Sequence, residues 1–229
     1  MIFGKIDYLN LLPFHVFLKR SNLQNSFKKS IEFKKDVPSK LNRALYRKKI
    51  DSAVISSIES RRKKYKKLDM GIVAKKQVIS VLVRKNSNFL LDPASMTSNM
   101  LSKVLGLKGE VIIGDNALKA YLKDGKESFY DMGEIWNKRM NLPFVFARFC
   151  YTKNGKLYKN LVKKFLSQKI KIPQYILKNY SKSRAISPND IKWYLNFITY
   201  KINKKEKIAL KIFLQKARMM NFNPNQNVK

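Results

Sequence analysis

The first half of the chain is built from short apolar runs, most of them ending in a small polar residue. Residues 2–9 are such a run, closing on Asn10, three positions before Pro13. An apolar run, an amide and a proline-opened amphipathic stretch over 13–19 predict a strand, a turn and a helix. The same reading predicts a short strand at 30–34, a helix over 38–47 opened by Pro38, a buried strand at 52–55 and a helix or turn from 57 to 65. Val78, Ile79, Ser80, Val81, Leu82 and Val83 predict a strong strand within 76–84.

Further on, Ser95, Met96, Thr97 and Ser98 precede an apolar-periodic stretch at 100–105, and hydroxyls ahead of a helix are capping chemistry. Val111, Ile112 and Ile113 predict a strand ending in Gly114 and Asp115, with a helix over 117–121. A strand is expected over 142–148. From Gly155 the pattern is almost wholly helical, over 157–166, 173–180 and 191–202, with Pro188, Asn189 and Asp190 as a start signal. Residues 219–229 read as a frayed polar tail.

Strands alternating with helices predict an α/β protein with an open sheet. The 78–83 run is expected to close one sheet and lead to a second, and 144–148 to lead back. Two crossings make a two-lobed molecule with a hinged inter-lobe cleft, suited to enclosing a small ligand. The expected division is 1–82 plus 149–229 for one lobe and 83–148 for the other.

Composition narrows the function. An apolar fraction of 45% over 229 residues supports a packed core. No apolar stretch approaches the length of a membrane span, and Asp7 and Asn10 interrupt the N-terminal run, so neither a membrane anchor nor a signal peptide is expected. The single cysteine, Cys150, excludes an internal disulfide and a cysteine zinc site, and reads as a buried small hydrophobe in a reducing cytoplasm. The formal charge of +34 raises nucleic-acid binding as a function. Against it, the basic residues are mostly lysines spread from Lys5 to Lys229, and the densest run, 61–67, reads as a solvated face. No zinc-finger, homeodomain or RNA-binding motif is present. No nucleic-acid partner is therefore expected, and the charge serves solubility and long-range steering of anions.

Polar residues sit where the strands end: Asn10, Ser56, Ser57, Ser80 and Asp115. Ser95, Thr97 and Ser98 stand at a helix start. In open α/β sheets ligands bind beyond the carboxyl ends of strands, and a helix N-terminus with hydroxyls suits a carboxylate. The set predicts a small anion held by neutral donors. Helix capping competes for Asn10 and the serines, and turn formation for Asp115. Ser80, inside an apolar run, needs a partner for its hydroxyl. The only histidine, His15, reads as a helix-surface or cleft-rim residue. The chain has no HExxH, no paired histidines, no Walker loop, no GxGxxG and no GxSxG, so neither a metal nor a cofactor is expected.

Six segments, taken in order, resemble the menaquinone-biosynthesis MqnA/MqnD family. They are Ile6-Asp7-Tyr8-Leu9-Asn10-Leu11-Leu12-Pro13-Phe14; Asp51-Ser52-Ala53-Val54-Ile55-Ser56-Ser57-Ile58-Glu59; Val78-Ile79-Ser80-Val81-Leu82; Ser95-Met96-Thr97-Ser98; Ile113-Gly114-Asp115-Asn116-Ala117-Leu118; and Asp131-Met132-Gly133-Glu134-Ile135-Trp136 with Leu142-Pro143-Phe144-Val145-Phe146-Ala147. The opening around Tyr8, Asn10 and Pro13 is closer to the dehydratase branch than to the dihydroxynaphthoate synthase branch. Two departures stand out: Leu11 replaces a usually small or polar residue, and no motif follows Gly155.

The resemblance implies the fold of type II periplasmic solute-binding proteins, used as a cytoplasmic enzyme. It implies a hydro-lyase of the futalosine route to menaquinone, converting chorismate to 3-[(1-carboxyvinyl)oxy]benzoate and water. Asn10 and Ser80 are then the catalytic contacts. Thr97 and Ser98 bind a carboxylate with the N–H groups of their helix, Ser56 lines the opposite wall, Ser57 and Ser95 are further substrate-binding residues, and Asp115 orients loops. The proton acceptor is Glu59, Asp115 or the substrate's own enolpyruvyl carboxylate, the last being favoured. The partner is the small-molecule substrate, and the chain acts as a monomer or homodimer. The alternatives are 1,4-dihydroxy-6-naphthoate synthase and a non-catalytic small-anion-binding protein of the same fold.

Overall fold

The computed structural model describes residues 1–220. The opening run forms β1 (Phe3–Ile6), buried throughout, and a 3-10 turn at Leu9–Leu11 leads into α1 (Leu12–Arg20), with Pro13 in its first turn where no N–H is missed. Residues 30–34 differ from the expected strand. The first four belong to α2 (Asn25–Phe33), whose inward stripe is Phe27 and Ile31 at helical spacing; Lys34 is its C-cap, and the strand of this segment is confined to β2 (Lys35–Asp36), which pairs with β1. Then come α3 (Pro38–Tyr46), β3 (Ser52–Ser56) and α4 (Ser57–Ser60). β4 (Lys66–Ala74) is a strand the pattern does not signal, because it opens on two lysines and its apolar residues are interrupted by Asp69 and Gly71.

β5 (Val81–Arg84) starts later than the apolar run around it, since the backbone turns at Ile79. Next are α5 (Met96–Val104), β6 (Glu110–Ile113), α6 (Gly114–Asp124), β7 (Phe129–Asp131), α7 (Met132–Met140) and β8 (Phe144–Tyr151). The last third holds α8 (Gly155–Leu166), α9 (Gln174–Arg184), α10 (Pro188–Leu195), β9 (Ile198–Lys201) and α11 (Lys204–Met219). The helix expected over 191–202 therefore ends at Leu195, and the strand β9 takes up its second half. Apart from Met219 and Met220, the expected tail lies outside the described residues.

Two sheets result. The larger has the order β2-β1-β3-β8-β4-β9 and the smaller β6-β5-β7. β1 and β3 are parallel, and β3 and β4 both run antiparallel to β8. The carboxyl ends of β1, β3 and β4 thus emerge at one edge. The chain leaves this sheet after Ala74 and joins the smaller one at Val81; it leaves the smaller one after Asp131 and returns at Phe144. Val81 and Leu82 pair within the smaller sheet and residues 144–148 within the larger.

The core of the larger sheet is aromatic. Phe14 meets Phe165 edge-on at 4.9 Å between ring centres, and Phe3 and Phe149 stack at 6.0 Å. Each such ring contributes roughly 1.5–3 kcal/mol through burial. His15 belongs to this core, not to a helix surface or cleft rim. Its ring lies against Phe3 and Phe14, and neither nitrogen has a hydrogen-bond partner among the described residues. Burial drives its pKa down to about 3, and the Lys5 charge adds to that. Cys150 is fully buried, as expected, and its thiol is pushed up to about 12, chiefly by burial. No helix among the described residues is long and apolar enough to cross a membrane.

Candidate functional site

The eight polar residues singled out from the sequence fall at the seam between the larger sheet's carboxyl edge and the smaller sheet. Asn10 sits in the 3-10 turn after β1 and caps nothing: the first residues of α1 receive no side-chain bond. Its side chain is buried and its Oδ1 has no hydrogen-bond partner among the described residues. Its backbone carbonyl accepts from the Tyr200 hydroxyl at 2.7 Å. An amide held through its backbone, with a buried and unengaged carbonyl, is poised for a polar group brought from outside.

Ser80 reaches the same point from the other side of the seam. Its hydroxyl lies 2.8 Å from the Tyr194 hydroxyl, and the Asn10 amide is also within hydrogen-bonding reach of Tyr194. The partner that a buried Ser80 requires is thus a tyrosine of α10. Burial raises the Tyr194 pKa well above that of a free phenol, so this group stays neutral.

Asp115 completes this cluster. Its Oδ1 accepts the Leu9 N–H at 2.9 Å, one residue before Asn10. The Ser80 carbonyl accepts the Gly114 N–H at 2.8 Å, one residue before Asp115. Gly114 has φ +65, and a Cβ there would stand 2.9 Å from the Tyr8 ring, so the seam is closed tightly. Arg184, from the last turn of α9, donates to Asp115 at 3.0 Å and reaches Asp7 at 3.1 Å. Burial nonetheless leaves the Asp115 carboxyl raised, whereas Lys5 and Arg184 together overcome burial at Asp7 and lower it. Tyr8 is pushed up to about 12 by burial and by the charges of Asp92 and Asp115.

Ser56, Ser57 and Thr97 form a second cluster, at the end of β3, the strand that neighbours β1. Asn42 of α3 grips Ser56, donating from Nδ2 to its hydroxyl at 2.9 Å and accepting its N–H at 3.2 Å. The Ser57 hydroxyl is committed to the Val145 carbonyl, tying α4 to β8. The Thr97 hydroxyl accepts the Ile58 N–H at 3.2 Å, so the N-termini of α4 and α5 face each other across the seam. Ser95 caps α5 by accepting the Ser98 N–H at 3.2 Å, and the two hydroxyls are 2.7 Å apart.

Two carboxylates considered as proton acceptors are already engaged. Asp115 holds Leu9 and Arg184. Glu59 is buried, accepting from the Tyr65 hydroxyl at 2.7 Å and pairing with Arg62 at 2.7 Å. No group of three or more metal-ligating side chains exists among the described residues. A cavity of about 1090 Å³ is bounded by Pro13, Lys75, Leu177, Leu195 and Tyr200 among others, and none of the eight residues lines it.

Sequence reasoning missed Tyr194, Arg184, Tyr200 and Asn42. Tyr194 stands three residues after Ile191 on the inward face of α10, where it reads as core, although a buried phenol demands a partner. Asn42 carries a clearer signal, an amide beside Leu41 and Leu45 in the apolar stripe of α3.

Two mixed α/β units meeting over polar strand ends define a protein of the periplasmic-binding type. Solved structures agree on the fold. A protein from Archaeoglobus fulgidus superposes with TM-score 0.68 at 14% identity, covering 96% of this chain and 97% of that one. The periplasmic aliphatic sulphonate binding protein SsuA of Escherichia coli gives 0.54 at 14% identity, covering 96% and 85%. The family model described as "Menaquinone biosynthesis" matches residues 1–108 and 95–219. A protein named chorismate dehydratase, from Campylobacter jejuni subsp. jejuni serotype O:23/36 (strain 81-176), is 54% identical over 222 residues, 96% of this chain and 99% of that protein. The chain belongs to the menaquinone-biosynthesis family.

Proposed function

We propose that this chain is a chorismate dehydratase, a hydro-lyase that forms 3-[(1-carboxyvinyl)oxy]benzoate and water in the futalosine route, working in the cytoplasm without a cofactor. The observation that carries the reading is the 54% identity to the Campylobacter enzyme across nearly the full length of both chains. The buried seam of neutral donors supports it chemically.

Aromatisation of the ring supplies most of the driving force. The protein's task is to hold a dianion in one conformer and to stabilise charge as the ring hydroxyl departs. Asn10 and Ser80 contact the reacting part of the substrate, because both are buried polar groups converging on one point. Thr97 and Ser98, with Ser95 and the N–H groups of α5, take a carboxylate. Ser56 lines the opposite wall beside Ser57, and Asp115 orients the turn around Leu9. With Glu59 and Asp115 both engaged, the C3 proton passes to the substrate's own enolpyruvyl carboxylate. The two sheets are the cores of two lobes, and the substrate enters when the seam between them opens. The excess of lysines steers the dianion toward it.

Incubating the purified protein with chorismate tests the reading. Mass spectrometry is expected to find a product lighter by one water. An unchanged substrate, with turnover of the cyclised futalosine-derived compound instead, would assign the chain to the sister synthase.

A further inference from the structure

Ile79 has φ +49, in the left-handed region that β-branched residues avoid. A residue is held there only when its surroundings over-determine it, and here the restraint is a single carboxylate. Asp131 Oδ2 accepts the Ile79 N–H at 2.7 Å and the Val78 N–H at 2.9 Å. Its Oδ1 accepts the Glu134 N–H at 2.9 Å, capping α7. Asp131 is buried and forms no salt bridge among the described residues, and backbone amides are the groups that engage its carboxylate. The segment is also pressed from behind, since a Cβ on Gly133 would stand 2.9 Å from the Lys76 carbonyl.

The held turn has one consequence at the seam. The next residue is Ser80, and its carbonyl and hydroxyl point to Gly114 and Tyr194. Without the left-handed step, Ser80 would continue the strand of Val81 and its hydroxyl would be redirected.

We infer that Asp131 is a positioning residue for Ser80: its carboxylate clamps the Val78 and Ile79 amides in the turn that presents the Ser80 hydroxyl to Tyr194 and Asn10. The inference rests on the reading that Ser80 belongs to the site. A carboxylate is required because both its oxygens accept. An amide in its place would set an N–H against another N–H.

Three variants test it with chorismate as substrate. Asp131→Ser keeps a good cap for α7 but is too short to reach Val78 and Ile79. It is expected to lower the melting temperature, because the buried Val78 and Ile79 amides lose a charged acceptor, and to lower kcat by about 10²-fold at a temperature where the variant is folded, with KM little changed, as for a misplaced catalytic group. Ile79→Gly permits the left-handed step without a clamp. Adding Asp131→Ser to Ile79→Gly is therefore expected to cost far less kcat than adding it to the parent chain. Asp131→Asn carries the same comparison should the serine variant fail to fold. An equal loss of kcat in both backgrounds, or a lowered melting temperature with kcat intact, would overturn the inference and leave Asp131 as a helix cap. The separate variant Ser80→Ala reads the underlying assignment: unimpaired turnover there would remove Ser80 from the site, whatever Asp131 does.

Discussion

The hydroxyls of Ser80 and Tyr194 lie 2.8 Å apart although the residues are separated by 114 positions in the chain. One follows the turn that enters the smaller sheet; the other comes from a helix of the C-terminal third. Tyr194→Phe keeps the shape and removes the hydroxyl. It leaves the buried Ser80 hydroxyl unpaired, a loss of about 1–3 kcal/mol that urea unfolding should report. Turnover of chorismate is expected to fall as well, with the larger effect on kcat.

Arg184 joins two carboxylates from different parts of the seam, Asp7 and Asp115. Arg184→Met should cost about 1.5–3 kcal/mol, the range for hydrogen bonds to charged groups. It should also change the acid limb of the stability curve. Burial opposes ionisation of Asp7, but Lys5 and Arg184 outweigh it and lower the folded value below the ordinary 3.8. The unfolded chain therefore takes up this proton first, and the stabilisation present above 3.8 is lost as pH falls through the folded value. Removing Arg184 should shift the acid unfolding midpoint upward. An unmoved midpoint would show that Lys5 alone maintains Asp7.

His15 makes a second pH-dependent contribution, in a window closer to neutrality. The folded imidazole titrates at about 3, against 6.5 for an unperturbed histidine. Between these values the unfolded chain binds the extra proton, so stability falls with pH at about 1.4 kcal/mol per unit. His15→Phe should flatten this slope. The difference between variant and parent stability should grow by about 2–3 kcal/mol from pH 7.5 to pH 4.5, a comparison in which the packing change cancels.

Gly114 is needed for both conformation and space. Its φ of +65 disfavours any side chain, and an added methyl would meet the Tyr8 ring at 2.9 Å. Gly114→Ala should cost about 1–2 kcal/mol from the backbone alone. The displaced Tyr8 should disturb the Leu9–Asp115 bond, and KM for chorismate should rise more than kcat falls. A variant with both constants and stability intact would mean that the seam is looser than its geometry implies.

Much of the candidate site could be read from local pattern because strand ends and helix starts are local events. Ser95 was legible as a cap from the hydroxyls before Met100 and Leu101, and the structure confirms that bond. The apolar run around Ser80 read as one continuous strand, and it broke at Ile79 because Asp131, distant in sequence, holds the turn. The helix expected over 191–202 split for a related reason. Its second half pairs with β4, and a short apolar stretch does not by itself distinguish strand from helix. His15 was misplaced because a polar residue in a proline-opened amphipathic helix looks exposed until the aromatic rings that enclose it are known.

The order of residues alone determined the α/β class, the positions of most helix starts, and the small polar groups that close the strands. These depend on neighbours within a few positions, through side-chain periodicity, capping and the geometry of proline. Only the tertiary structure decided which of those groups meet, that α10 supplies Tyr194 between Asn10 and Ser80, and that Arg184 bridges Asp7 and Asp115. Such encounters follow from sheet order and from the packing of the last helices. They arise from burial summed over the whole chain, and no short window of sequence encodes it.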